Sequence, residues 1–238
     1  RLSARWTGWW PAIAAASAAA YGLLRLAGRA RKPAEEGEAP AGALFGALAD
    51  MMQRPGVLPV LTFVLIFKLG DASMGFMVKP FWVDAGFSAA EIGLVSVNIG
   101  LVLSIAGGLA GGWYADRAGI FRALWVLGLA QAVSNLVYAL AAWILPLGGA
   151  PLMEHRALIY FASALESFTG GLGTAAFLAF LMAIVSKERA ATEYALLSSV
   201  FALSRSVAGW VGGLGAQSMG YANWFLLTFF LAIPAYLL

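Results

Sequence analysis

Apolar runs of about twenty residues, separated by short polar turns, organise this chain. Seven runs are read at roughly 9–27, 57–80, 92–114, 121–145, 157–185, 194–216 and 221–238, each long enough for a helix to cross a hydrocarbon core of about 30 Å. The one long polar stretch is RARKPAEEGEAPAGALFGALADMMQR, residues 29–54, whose Pro, Gly, Ala and Glu content reads as a flexible linker. The pattern predicts three parts: a single span in residues 1–28, the linker 29–54, and a bundle of six spans over 55–238. The last run reaches Leu238 without a polar flank and the chain opens on Arg1, so it is expected to be part of a longer protein.

Charge then sets the orientation. With the linker on the cytoplasmic side and the chain alternating, that side collects Arg25, Arg29, Arg31, Lys32, Arg54, Arg117, Arg122, Lys187 and Arg189. The opposite side keeps Arg1, Arg5, Lys79 and Arg156, a bias of nine to four that the positive-inside rule requires. Composition agrees with a chain solvated by lipid: 61% hydrophobic and 11% charged, against about 25% charged in an ordinary soluble domain. The partner implied is the bilayer. The sequence pI near 9.3 is loop charge, so no nucleic-acid partner is expected. The absence of cysteine excludes disulfides and thiolate metal sites, no cofactor is called for, and no signal-peptide pattern precedes the first run.

Four charges fall deep inside apolar runs, about two helical turns or more from the nearest polar loop or chain end: Lys68, Asp71, Glu166 and Arg205. A charge at mid-bilayer costs roughly 2.5–3.5 kcal/mol on insertion scales, so such residues face a protein interior or a wet cavity. Helical spacing gives them neighbours. Lys68, Asp71, Gly75 and Lys79 share one face of the second span; Gln131, Asn135 and Tyr138 do so on the fourth. Glu166, Gly170, Gly173 and Phe177 align on the fifth, and Ser198, Arg205, Gly209 and Gly212 on the sixth. Gly100, Ser104, Gly107 and Gly111 on the third form an uncharged small-residue stripe, the pattern of close helix packing. His155, the only histidine, is expected in an external loop between Glu154 and Arg156 rather than in a proton relay.

The turn after the third span reads GGWYADRAGIFRAL, a G-x-x-x-D-R-x-G-x-x-R pattern at Gly112, Asp116, Arg117, Gly119 and Arg122. It resembles the signature of the major facilitator superfamily, which lies between the second and third helices of each six-helix half. The position matches here. A span, a cytoplasmic linker and six spans resemble such a transporter from its sixth helix onward: the last helix of the N-terminal half, then the six-helix C-terminal half of an all-α membrane protein. Two glycines bend the chain, Asp116 has the chemistry to cap a helix N-terminus, and Arg117 and Arg122 can bridge to carboxylates. The loop reads either as a gate made and broken between states or as a purely topogenic element. In a proton-driven transporter one carboxylate must neutralise in one state and ionise in another. Asp71 and Glu166, the only intramembrane acids, are the candidates, with a permanent Lys68–Asp71 ion pair as the alternative reading for Asp71. Arg205 reads as a contact for an anionic substrate or as a counter-charge to an acid.

The stretches KLGDASMG (68–75), GFSAAEIGLV (86–95), IFRALWVLGLAQAVSN (120–135), ESFTGGLGTAAFLAFLMAI (166–184) and ATEYALLS (191–198) resemble the AmpG-like muropeptide permeases, in order over residues 66–238. That resemblance implies a twelve-helix bacterial inner-membrane protein of the major facilitator superfamily. It would import anhydromuropeptides, anionic cell-wall fragments, by alternating access, with protons as the coupled ion. Lys68, Lys79, Asn98, Gln131, Asn135 and Arg205 are the expected pathway-lining residues. Two features depart from the family pattern: a lysine at Lys79 where uncharged residues are usual, and Val97 where a lysine is usual. Related branches carry acetyl-coenzyme A or siderophores, and a non-transporting membrane scaffold is the remaining alternative.

Enzyme classes fit poorly. No H-E-x-x-H or G-x-S-x-G occurs. A photoreceptor needs a Schiff-base lysine in its last helix, and residues 221–238 contain none. An intramembrane aspartyl protease needs a second intramembrane aspartate, which Asp71 lacks. No catalytic residue is therefore expected.

Overall fold

The computed structural model describes residues 48–49, 51–145 and 153–237, and every described element is a helix. The expected span at 9–27 and the linker as far as residue 47 lie outside the described residues. Helix α1 (Val57–Phe67) follows Gly56, whose φ of 84° suits glycine, and α2 (Leu69–Asp84) continues it after a one-residue break at Lys68. Together they form one apolar stretch, Val57–Asp84. Gly86, at φ 81°, turns the chain. Ser88 and Glu91 then form a capping box, each side chain bonding the other's backbone N–H. A π-helical stretch, Ile92–Ile99, leads into α3 (Gly100–Ala118). Gly119, at φ 86°, is the whole connection to α4 (Ile120–Ile144). α5 (Met153–Ile184) and α6 (Ala190–Ala232) complete the bundle.

At 43 residues, α6 would be about 65 Å long if straight, twice a bilayer's apolar thickness. It is not straight: Gly220 is non-helical at φ 79°, ψ 161°. A Cβ on Gly215 would collide with the Trp224 ring, a contact impossible nine residues along one straight helix. α6 is thus two antiparallel halves, matching the two spans expected at 194–216 and 221–238. The first half runs beside α1 and α2 in the same direction, with Ser204 donating to the Leu65 carbonyl and Gly212 packed on the Ser73 carbonyl. The second returns along α2, where Phe225 meets Phe81 and the Thr228 backbone abuts Gly70. Dividing α6 at Gly220 gives two antiparallel segments; with α6 counted as one, five helical stretches among the described residues are long and apolar enough to cross a membrane.

Small residues fix the closest seam. A Cβ on Gly107 would overlap the Phe168 carbonyl, one on Gly171 the Ser104 carbonyl, and one on Gly111 would come within 2.7 Å of the Leu172 oxygen. The α3–α5 backbones therefore touch along the glycine stripe. Two apolar clusters close the ends of the bundle. One gathers Met74, Phe81, Trp82, Tyr138, Ile159 and Phe225; the other gathers Val64, Phe67, Leu127, Phe177, Leu181 and Ala235. Between them, on four different segments, stand Lys68 and Asp71, Gln131 and Asn135, Glu166, and Thr228. The polar layer sits mid-span.

Candidate functional site

Lys68 occupies the break between α1 and α2, and Asp71 lies in the first turn of α2. Lys68 is 4% exposed. Its Nζ donates to Gln131 Oε1 at 2.7 Å and lies 3.5 Å from Asp71 Oδ2. Asp71 Oδ1 is buried with no partner among the described residues.

Asp71 also faces an open cavity of about 460 Å³. Glu166 and Ser167 of α5 line it, with Gly170 and Thr174 one and two turns on; Lys79 of α2 and Ser96 of the π-helical stretch close another side. The Lys79 ammonium donates to the Ser96 hydroxyl, and more distantly to its carbonyl at 3.4 Å. Ser167 Oγ donates to Glu166 Oε2 at 3.4 Å. One cavity thus presents two carboxylates, one ammonium and several hydroxyls in an apolar bundle. Such a mixed lining suits a solute carrying both signs of charge. Pi-helical segments recur at functional sites, and here one delivers Ser96 and Val97 to the rim.

The other predicted residues are distributed differently. Gln131 and Asn135 are buried at 3% and 0% and are not among the residues lining this cavity; they belong to the polar layer inside the bundle. Asn135 Nδ2 donates to Thr228 Oγ1 at 3.1 Å, joining α4 to the second half of α6. Asn98 is exposed and does not line the cavity; Ser96 and Val97 of the same stretch do. Arg205 is exposed outside the cavity, its guanidinium 5.6 Å from the Phe76 ring and 5.9 Å from that of Phe201. It neutralises neither acid here.

In the loop signature only Gly119 is at the bend, while Gly112 is interior to α3. Asp116 caps no helix, since α4 begins on Gly119 without a side-chain cap. Arg117 lies over the Trp113 ring at 4.3 Å. Neither Asp116 nor Arg122 has an ion-pair partner among the described residues. His155 is in the first turn of α5 rather than in a loop, the helix having started earlier than its polar residues imply.

Sequence reasoning missed several groups. Ser96, Ser167 and Thr174 line the cavity, though nothing distinguishes them from other hydroxyls in apolar runs. Glu193 is 1% exposed and takes Arg54 at one end of the bundle, with the Ser186 N–H and hydroxyl also donating to it. At the other end Arg156 and Tyr160 both reach Glu91, and Tyr221 donates to Asp84 at 2.6 Å. The Glu193 cluster joins segments all expected on the cytoplasmic side; the Glu91 and Asp84 contacts join segments all expected outside. No group of three or more metal-ligating side chains is gathered among the described residues.

A protein of Escherichia coli (strain K12) named anhydromuropeptide permease is 34% identical over 197 residues, covering 82% of this chain and 38% of that protein. A Rickettsia conorii protein named as a transporter, AmpG 4, is 32% identical over 186 residues, covering 78% of this chain and 43% of its own length. Over about four-fifths of its length this chain is similar to the AmpG-like permeases. A Rickettsia prowazekii relative named as transporter AmpG 1 is 29% identical over 182 residues, 76% of the chain and 39% of the relative. The chain therefore spans well under half the length of the AmpG-like relatives it matches. No protein-family model matches it. These relatives are named as permeases and transporters rather than enzymes. The long apolar helices make this AmpG-like chain a multi-pass, all-α membrane protein.

Proposed function

We propose that this chain is the C-terminal part of a secondary active transporter of the major facilitator superfamily. It would import anhydromuropeptides across the bacterial inner membrane by proton symport and alternating access. Residues 1–28 would be the last helix of an N-terminal half, which completes the pathway, and residues 29–54 the cytoplasmic linker. The observation that carries the reading is the mid-span cavity bearing Asp71, Glu166 and Lys79 in a chain whose relatives include a protein named anhydromuropeptide permease. The two acids are the proton carriers in this account. Lys79 receives a substrate carboxylate, and Arg205 serves the same anion from the face turned to the missing half. The Gly112–Arg122 loop gates the cytoplasmic side, its unpaired Asp116 and Arg122 available to the other half. Lys79 also favours a second reading, another anionic solute such as acetyl-coenzyme A or a siderophore. Vesicles containing the full-length protein decide between them. Labelled anhydromuropeptide should accumulate when a proton gradient is imposed, and neither alternative solute should compete. Competition by one of them, without muropeptide uptake, would shift the assignment to that solute.

A further inference from the structure

Lys68 has two acceptors within reach and rests nearer the uncharged one. Its Nζ is 2.7 Å from Gln131 Oε1 but 3.5 Å from Asp71 Oδ2. An ammonium free to choose closes on a carboxylate to roughly 2.7–2.9 Å. Lys68 is 4% exposed and Gln131 3%, so their contact is shielded from bulk water, while the Asp71 side chain is 22% exposed. Gln131 itself is fixed from behind. A Cβ on Gly173 of α5 would overlap Gln131 Oε1 and come within 3.0 Å of its Cδ, so only glycine at 173 leaves the amide its place. The amide oxygen faces the ammonium, because two donors cannot share a bond. The consequence falls on Asp71: Oδ1 has no partner among the described residues, although the residue lines the cavity.

We propose that Gln131, seated against Gly173, is a positioning residue that holds the Lys68 ammonium back from Asp71. The Asp71 carboxylate is thereby left able to exchange partners with what enters the cavity. A fully closed Lys68–Asp71 bridge would be permanent and inert. Held open, it leaves the Asp71 carboxylate, whose side chain is 22% exposed, for a proton or a substrate ammonium. The other charges near the pair have contacts of their own. Lys79 is engaged by Ser96, Glu166 accepts from Ser167, and Arg205 lies over aromatic rings outside the cavity. The transport role given to Asp71 rests on the proposed function; the seat itself does not.

Carbodiimide capture of Asp71 tests the seat. The full-length protein is reconstituted in vesicles, and the Asp71 peptide is quantified by mass spectrometry at one fixed pH. Carbodiimides take protonated carboxyls in apolar surroundings. Gln131→Met removes the amide acceptor, so Lys68 closes on Asp71 and capture falls by about threefold or more, as expected for groups in direct contact. Gln131→Glu offers Lys68 a charged competitor, and capture rises by a comparable factor. Gly173→Ala displaces the Gln131 side chain and lowers capture, as Gln131→Met does, which keeps the proposal testable should the Met variant fold poorly. Opposite signs cannot come from a general loosening of the bundle. Changes of one sign in both the Glu variant and the acceptor-removing variants, or no change in any, overturn the proposal. Capture is read without transport, so a wild type that carries no muropeptide overturns the functional reading and leaves the seat standing.

Discussion

The Arg54 guanidinium grips both carboxylate oxygens of Glu193, at 2.5 and 3.0 Å, although the two residues are 139 apart in sequence. The Ser186 N–H and hydroxyl add bonds of 2.8 and 2.7 Å to the same carboxylate. A four-fold satisfied carboxylate at 1% exposure ties the entry to α1 to the turn between α5 and α6. The linker in the proposed transporter is thus anchored to the bundle at the point where it arrives.

Glu193→Ala should therefore destabilise the protein. Removing one member of a buried pair costs about 3–5 kcal/mol. Arg54 is 38% exposed and regains some hydration, so about 2–3 kcal/mol is expected here. Thermal unfolding in detergent reads it. A variant as stable as the wild type would reduce the cluster to a decorative surface pair.

The α3–α5 seam predicts a contrast between adjacent glycines. A side chain at Gly107 meets the Phe168 backbone, which has nowhere to move, whereas nothing lies within 4 Å of a Cβ at Gly108. Gly107→Val should cost about 1–3 kcal/mol through overpacking. Gly108→Ala should be neutral or slightly stabilising, since alanine is the better helix former. Unfolding midpoints that move together would contradict the seam.

Asp71→Asn and Glu166→Gln separate the proton carriers. The variant that loses the coupling group should lose the gradient-dependent part of uptake while keeping substrate exchange between equal concentrations. Loss of both activities in both variants would place the acids in substrate binding instead.

Asp116 makes no described contact within the bundle, so Asp116→Ala should leave the unfolding midpoint unchanged. It should still shift the balance of inward and outward states, read by the accessibility of cysteines introduced into this cysteine-free chain. Unaltered accessibility would leave the loop a topogenic role only.

Much of this architecture was legible because lipid imposes simple rules. Apolar length marked the long helices, and the spacing of Gly100, Ser104, Gly107 and Gly111 announced a backbone contact. Asp71 and Glu166 stood out by cost, Lys79 shared a helix face with Asp71, and the three meet in one cavity. What stayed hidden depends on contacts between distant segments. Gln131 and Asn135 share a polar helix face whether that face is wet or buried, and only the Lys68 and Thr228 partners show it to be buried. Arg54 and Glu193 both read as loop charges, because periodicity carries no information about a pair 139 residues apart. On the third span the cavity is lined by Ser96, Val97, Gly100, Leu101 and Ser104 rather than Asn98, a face that hydroxyl and small residues do not mark as wet. Arg205 was placed by its cost as a buried charge, but in this part of the protein its helix face is uncovered.

The central claim is that the cavity holding Asp71, Glu166 and Lys79 is the substrate pathway. Thr174→Cys puts a thiol on its wall, and in an otherwise cysteine-free full-length protein its reaction rate with a small soluble thiol reagent reports occupancy of that space. The account predicts that anhydromuropeptide slows the reaction in a concentration-dependent way while an unrelated disaccharide does not. Equal rates with and without anhydromuropeptide, in protein that still transports it, would contradict the account.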